Sequence, residues 1–167
     1  TMRWQQSGQT ARATVDAAHA GCSRTRRSTR GLVLWHGSHV LKVQSATQTV
    51  VATSTGEAEF YGIMRGTAAI LGLMGILNDY GQYGFDMECE TDATAGRGMM
   101  LKRGVGKNKH MDTKIMWAQS VYVGEHSKVK LNKVDTEKNE SDIATKVLDP
   151  SRFDQHLCSM GYRYCEG

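Results

Sequence analysis

"FDMECETD", residues Phe85 to Asp92, is the stretch from which the fold can be read. Phe85, Met87, Cys89 and Thr91 alternate with Asp86, Glu88, Glu90 and Asp92. A period of two is the signature of a strand with one face packed and one polar, here ending in an acid. Before it, Phe60, Ile63, Met64, Thr67, Leu71 and Met74 recur at steps of three and four, which predicts a long helix from about Thr55 to Tyr80. Internal glycines at 62, 66, 72 and 75 weaken that helix, so packing must hold it. After the strand, "ATAGRGMML" reads as a short helix, followed by the loop "KRGVGKNK".

Further out, "ARATVDA" (11–17) reads as a strand that closes near an acid, Asp16. "GCSRTRRSTRG" is a polar loop, and "GLVLWHGSHVLKVQS" a β-hairpin turning at Gly37 and Ser38. Towards the C-terminus, a helix is expected from His110 to about Val123, with Met111, Ile115, Ala118 and Tyr122 in one stripe. "KVKLNKV" (128–134) alternates as a strand. A helix from about Asn139 to Leu148 is expected to bury Ile143, Ala144, Val147 and Leu148 and to end at Pro150. "SRFDQHLCSMG" is a short amphipathic helix. Residues 1–10 read as a connecting segment and 11–167 as one domain. The order βββαβααβα predicts an α/β mixed sheet with helices on its faces.

The composition, 40% hydrophobic and 23% charged in 167 residues, suits one globular domain. No apolar run approaches the length of a membrane span, and no secretory signal opens the chain. The four scattered cysteines make no C-x-x-C pair and read as reduced intracellular thiols. Net charge is only +4, but cations cluster in Arg24, Arg26, Arg27 and Arg30, and again in Arg97, Lys102, Arg103, Lys107, Lys109 and Lys114. Two such clusters beside well-placed acids point to a phosphate backbone as partner.

Asp16 and Asp92 both end strands. If those strands are parallel neighbours, both carboxylates emerge at one edge of the sheet, where open α/β sheets carry their sites. Asp142 follows a capping Asn139 by three residues, with Lys146 four residues on. "STGEAEFYG" adds two glutamates, Glu57 and Glu59. Two residues apart on a helix, they point about 200° from each other, so one site takes only one of them. Four carboxylates in one pocket would require cations, and hard oxygen ligands suit magnesium or manganese.

The series "VDAAHAG", "RRSTRG", "STGEAEFYG", "TDATAG", "KHMD" and "ESDIATKVL" resembles the ribonuclease H domain of copia-type (Pseudoviridae) LTR retrotransposon polyproteins, from about residue 14 to 161. The resemblance implies a ribonuclease H-like fold, a five-stranded mixed sheet whose first three strands are antiparallel, flanked by helices. It also implies an Asp-Glu-Asp-Asp site of Asp16, Glu59, Asp92 and Asp142, Glu59 being selected by the Ala58-Glu59-Phe60 step. That site would hold two Mg2+ ions, with Mn2+ as the alternative, and cleave the RNA strand of RNA/DNA hybrids. Arg24, Arg26, Arg27, Arg30, Lys102, Arg103, Lys107, Lys109 and His110 are the expected nucleic-acid contacts, with helix capping as the other role of His110. The implied setting is a monomeric domain linked to a reverse transcriptase, intracellular and in virus-like particles, with no membrane partner. The loop "DTEKNES" carries no histidine, unlike that of cellular ribonucleases H. The rival readings are a weak or inactive binding module supporting a polymerase and, last, an integrase-like strand-transferase.

Overall fold

The computed structural model describes residues 8–104, 111–124 and 127–164. Strands β1 (Thr10–Ala18), β2 (Thr29–His36), β3 (His39–Thr47), β4 (Asp86–Thr91) and β5 (Lys130–Lys133) form one sheet in the order β3-β2-β1-β4-β5. The first three are antiparallel, whereas β4 runs parallel to β1 and β5 parallel to β4. The helices are α1 (Thr55–Asp79), α2 (Thr94–Leu101), α3 (Asp112–Tyr122) and α4 (Pro150–Ser159). Most of the expected connecting segment, residues 1–7, lies outside the described residues.

Alternation along the strands sorts side chains into two layers. Ala11, Ala13 and Val15 of β1, Leu32 and Leu34 of β2, Cys89 of β4 and Leu131 of β5 join Phe60, Ile63 and Ile70 of α1 in the main core. Met100 of α2 and Ile115 and Ala118 of α3 complete it. On the opposite face Val33, Trp35, Val40 and Met160 form a smaller cluster, with Ile143 and Leu157 packed against it. The acidic face of "FDMECETD" therefore looks toward the α4 layer. There Glu90 pairs with Arg12 at 2.8 Å, and Asn132 donates to Glu88 at 3.4 Å.

Helix α1 lies tightly on β1: a Cβ at Gly66 would fall 2.5 Å from Val15 Cγ1. Thr55–Asp79 also corrects one expectation. An 18-residue window of it, with mean hydropathy 1.5, is apolar enough to cross a membrane by length and composition. That apolarity is used against the sheet, where Phe60, Ile63 and Ile70 are fully buried.

The expected helix from Asn139 to Leu148 is also corrected. Glu140–Ala144 forms a short 3-10 helix, Asn139 caps it by accepting from Ser141 N, and Val147 is fully exposed. Pro150 does not end a helix but begins α4, with Asp149 accepting from Arg152 N as its N-cap. A proline at the first helical position leaves unmade only a bond that the position lacks anyway.

Candidate metal centre and nucleic-acid interface

Thr14 pairs with Glu90 in the parallel β1–β4 ladder, so the same register carried two residues on sets Asp16 beside Asp92. Both lie on the α4 side by alternation. Across β2, Asp16 stands opposite Gly31, where a Cβ would fall 2.5 Å from the Ser141 carbonyl oxygen. The absence of a side chain at Gly31 lets the 140–144 turn descend onto the sheet and delivers Asp142. One carboxylate oxygen from each of Asp16, Asp92 and Asp142 lies within 4.8 Å of the other two.

The cluster has an internal support of cations and neutral donors. Lys146 Nζ lies 2.7 Å from Asp142 Oδ1 and 3.6 Å from Asp16 Oδ2. Arg152 donates to Asp142 Oδ2 at 3.1 Å and to the Thr136 carbonyl at 2.7 Å. Thr145 donates its hydroxyl to Asp16, and Asn139 Nδ2 donates to Asp92 Oδ1 and to the Val15 carbonyl, each at 3.2 Å. Three carboxylates against two cations leave the site short of positive charge. The titration directions agree. Burial, with Asp16 and Asp92 nearby, holds the Asp142 carboxyl above the usual range despite Lys146. Burial alone would lower the Lys146 ammonium, but its hydrogen bond to Asp142 and the surrounding carboxylates raise it instead. Neighbouring carboxylates favour the protonated form of both Asp142 and Lys146. A divalent cation among hard oxygen donors fits this charge deficit.

The two glutamates of α1 part company. Glu57 is buried; Oε2 accepts from Thr53 N at 2.7 Å and Thr53 Oγ1 at 2.5 Å, and Oε1 from the Tyr61 hydroxyl at 3.2 Å. With Ser54 Oγ accepting from Glu57 N, this is a variant of the capping box. Glu59 is half-buried on the face toward α2, and its Oε2 accepts from Gly96 N at 3.0 Å. Gly96 has to be small, because its Cβ would fall 2.6 Å from Glu59 Cβ. One turn on from Glu59, a Cβ at Gly62 would lie 3.7 Å from the Asp16 carbonyl, so this face of α1 adjoins the end of β1. Glu59 is not one of the three converging carboxylates.

Of the expected nucleic-acid contacts, Arg24, Arg26 and Arg27 stand exposed in the β1–β2 loop, and Lys102 and Arg103 are exposed after α2. Lys107, Lys109 and His110 lie outside the described residues. Arg30 lines a cavity of about 250 Å³ together with Gln48, Tyr61, Arg65 and Lys114. Lys114 Nζ lies 4.4 Å from the centre of the Tyr61 ring and donates to its hydroxyl. Burial and the like charge of Arg65 lower the Arg30 guanidinium pKa. Sequence reading passed over Arg65, Asn139, Thr145 and Arg152 as site residues. For Asn139 and Lys146 the signal was present, in the cap and the i,i+4 spacing around Asp142. For Arg65 and Arg152 no local pattern marks them.

The fold has close counterparts among solved structures. LC11 ribonuclease H1, isolated from compost by a metagenomic approach, superposes with a TM-score of 0.58 at 18% identity, covering 90% of this chain and 99% of that one. The same enzyme in complex with an RNA/DNA hybrid gives 0.56 at 16% identity, covering 81% and 93%. The N-terminal ribonuclease H domain of rv2228c from Mycobacterium tuberculosis gives 0.54 at 14% identity, covering 90% and 97%. In sequence the chain is similar to the retrovirus-related Pol polyprotein from transposon TNT 1-94 of Nicotiana tabacum, 27% identical over 148 residues. The chain has a ribonuclease H-like fold, and its sequence is similar to part of a retrotransposon Pol polyprotein. The match takes in 86% of the chain but only 11% of that polyprotein, so the domain spans about a tenth of its relative's length. No family model matches the chain.

Proposed function

We propose that the domain is a metal-dependent endoribonuclease that cleaves the RNA strand of RNA/DNA hybrids, working within a retrotransposon-type reverse-transcription polyprotein. The observation that carries this reading is the convergence of Asp16, Asp92 and Asp142 within 4.8 Å. Those three residues would hold divalent ions, Mg2+ or Mn2+, and Glu59 would join them by the oxygen that Gly96 does not engage. Bound there, the ions would activate water and neutralise charge at the scissile phosphate. The chain itself supplies orientation. Asn139 aims Asp92 and Thr145 aims Asp16, while Arg152 anchors Asp142 from the α4 side.

The grip on substrate would come from the cations at the same edge of the sheet. Neither Arg30 nor Arg65 has an acidic partner among the described residues, and two neighbouring guanidiniums without a carboxylate suit a backbone phosphate. Selectivity for RNA would rest on 2′-hydroxyl contacts across the minor groove of a near-A-form duplex.

The test is a labelled hybrid beside duplex RNA and duplex DNA, with Mg2+ or Mn2+. The parent is expected to cut the RNA strand of the hybrid, and Asp92→Asn to lose at least about a hundredfold in rate. Persisting cleavage by Asp92→Asn would remove the site assignment. A second reading, a module that binds hybrids without cutting them, has one observation on its side: both Asp142 oxygens are already engaged by Lys146 and Arg152. Hybrid binding without cleavage under either metal would favour that reading.

A further inference from the structure

We propose that Lys146 is the resident counter-ion of the aspartate cluster and that an entering divalent cation displaces its ammonium group. The inference rests on reading the three aspartates as a metal site.

Lys146 Nζ, 2.7 Å from Asp142 and 3.6 Å from Asp16, sits where a cation shared by those two carboxylates would sit. Asp142 has no solvent exposure, and Arg152 takes its other oxygen. A metal ion reaching Asp142 therefore competes with one of the two for a carboxylate oxygen. Arg152 is the harder to move, because the same Nη2 also donates to the Thr136 carbonyl at 2.7 Å. A rigid planar guanidinium held by two acceptors is less free to swing away than an ammonium on a flexible stem. Among the described residues the Lys146 ammonium has no second anchor outside the cluster, its side chain is 39% exposed, and it sits on a flexible four-carbon stem. Its backbone N–H is held by the Asp142 carbonyl at 2.9 Å, so displacement takes the side chain alone. Lys146, Val147 and Asp149 are exposed in the stretch between the 3-10 turn and α4, so that side chain already borders solvent. An ammonium cannot stay in contact with an ion of charge +2 that takes over its carboxylates. Lys146 thus holds the acids together before metal arrives and sets the affinity with which metal is taken.

The experiment is calorimetric titration of the purified domain with Mg2+ alone and with Mn2+ alone, in the parent, Lys146→Met, Lys146→Gln and Asp92→Asn. Removal of the competing charge is expected to tighten Mn2+ binding by about tenfold in both Lys146 variants, and to lower the metal-free melting temperature. Asp92→Asn is expected to lose the binding. In the parent, the rate at which an acylating reagent labels Lys146, read by peptide mass, is expected to rise when metal is added. That arm needs no variant and stands if the substitutions prevent folding. Metal affinity unchanged or weaker in the Lys146 variants, with the parent binding normally, would overturn the displacement and leave the metal site intact. Unchanged labelling of Lys146 at saturating metal would do the same. No binding by any of the proteins would remove the metal site and this inference with it.

Discussion

Glu57 and Glu59 lie two residues apart on α1, and the carboxylate of each is held by a different partner. Glu57 closes the helix start through Thr53 and Tyr61, and Tyr61 in turn receives Lys114. Glu59 holds the N-terminus of α2 through Gly96. Helical geometry alone said only that the two diverge; the choice of Glu59 came from the resemblance in the Ala58-Glu59-Phe60 step. No local pattern announces that Glu57 would be the more buried of the pair, because its partners Thr53 and Tyr61 are commonplace residues. Glu57→Gln is expected to weaken hydrogen bonds to a charged acceptor, costing about 1–2 kcal/mol. At this chain length that is a fall of a few degrees in melting temperature, with cleavage per folded molecule nearly kept. Glu59→Gln is expected to reduce hybrid cleavage by at least about a hundredfold with a smaller thermal effect. Thermal melts and single-turnover cleavage on both variants decide it. The opposite pattern would make Glu57 the ligand.

At the scale of elements, the strands and α1 were legible because each repeats one period over many residues. The segment after β5 was not. Ile143, Ala144, Val147 and Leu148 have helical spacing, but Asn139, Glu140, Ser141 and Asp142 are the residues the fold buries there. Asn139 donates to the Val15 carbonyl and to Asp92, and Asp142 accepts from Arg152 of α4, a requirement that periodicity does not see. The Asp149-Pro150 pair could be read either as a stop or as an N-cap with proline at the first position, and only the packing of α4 chooses. The same limit hid Arg65. It is one exposed residue on α1 until β2 brings Arg30 and α3 brings Lys114 to the same cavity. Arg65→Glu places an acid between two cations that a phosphate would otherwise share. Hybrid affinity, measured in Ca2+ so that binding is separated from turnover, is expected to fall about tenfold or more. The slope of log affinity against log salt is expected to lose about one unit. An unchanged slope would take the cavity out of the binding surface.

At the scale of the whole molecule, two layers of side chains meet across one sheet, and the site lies where the layers and the β1–β4 ladder end together. That β1 and β4 are neighbours could not be read from either strand, since it depends on the crossover through α1. The α4 layer closes the site from behind through Arg152, and one turn further along it carries His156, 2% exposed with Nε2 unpartnered. Burial lowers the His156 pKa below its ordinary 6.5. Asp142 and Glu140 pull the other way, and Arg152 and Lys146 add to the lowering. The unfolded chain therefore binds a proton at His156 at a higher pH than the folded one does. The stability this neutral histidine contributes is complete above about pH 6.5 and is lost as pH falls from there through the lower folded value. Melting temperatures of the metal-free domain are thus expected to be level from pH 8 to 7 and to decline between 6.5 and 5.5. The decline should be shallower in His156→Gln, whose side chain does not titrate, whatever its absolute stability. Parallel curves for the two proteins across that window would show that His156 is as free to take a proton in the fold as outside it.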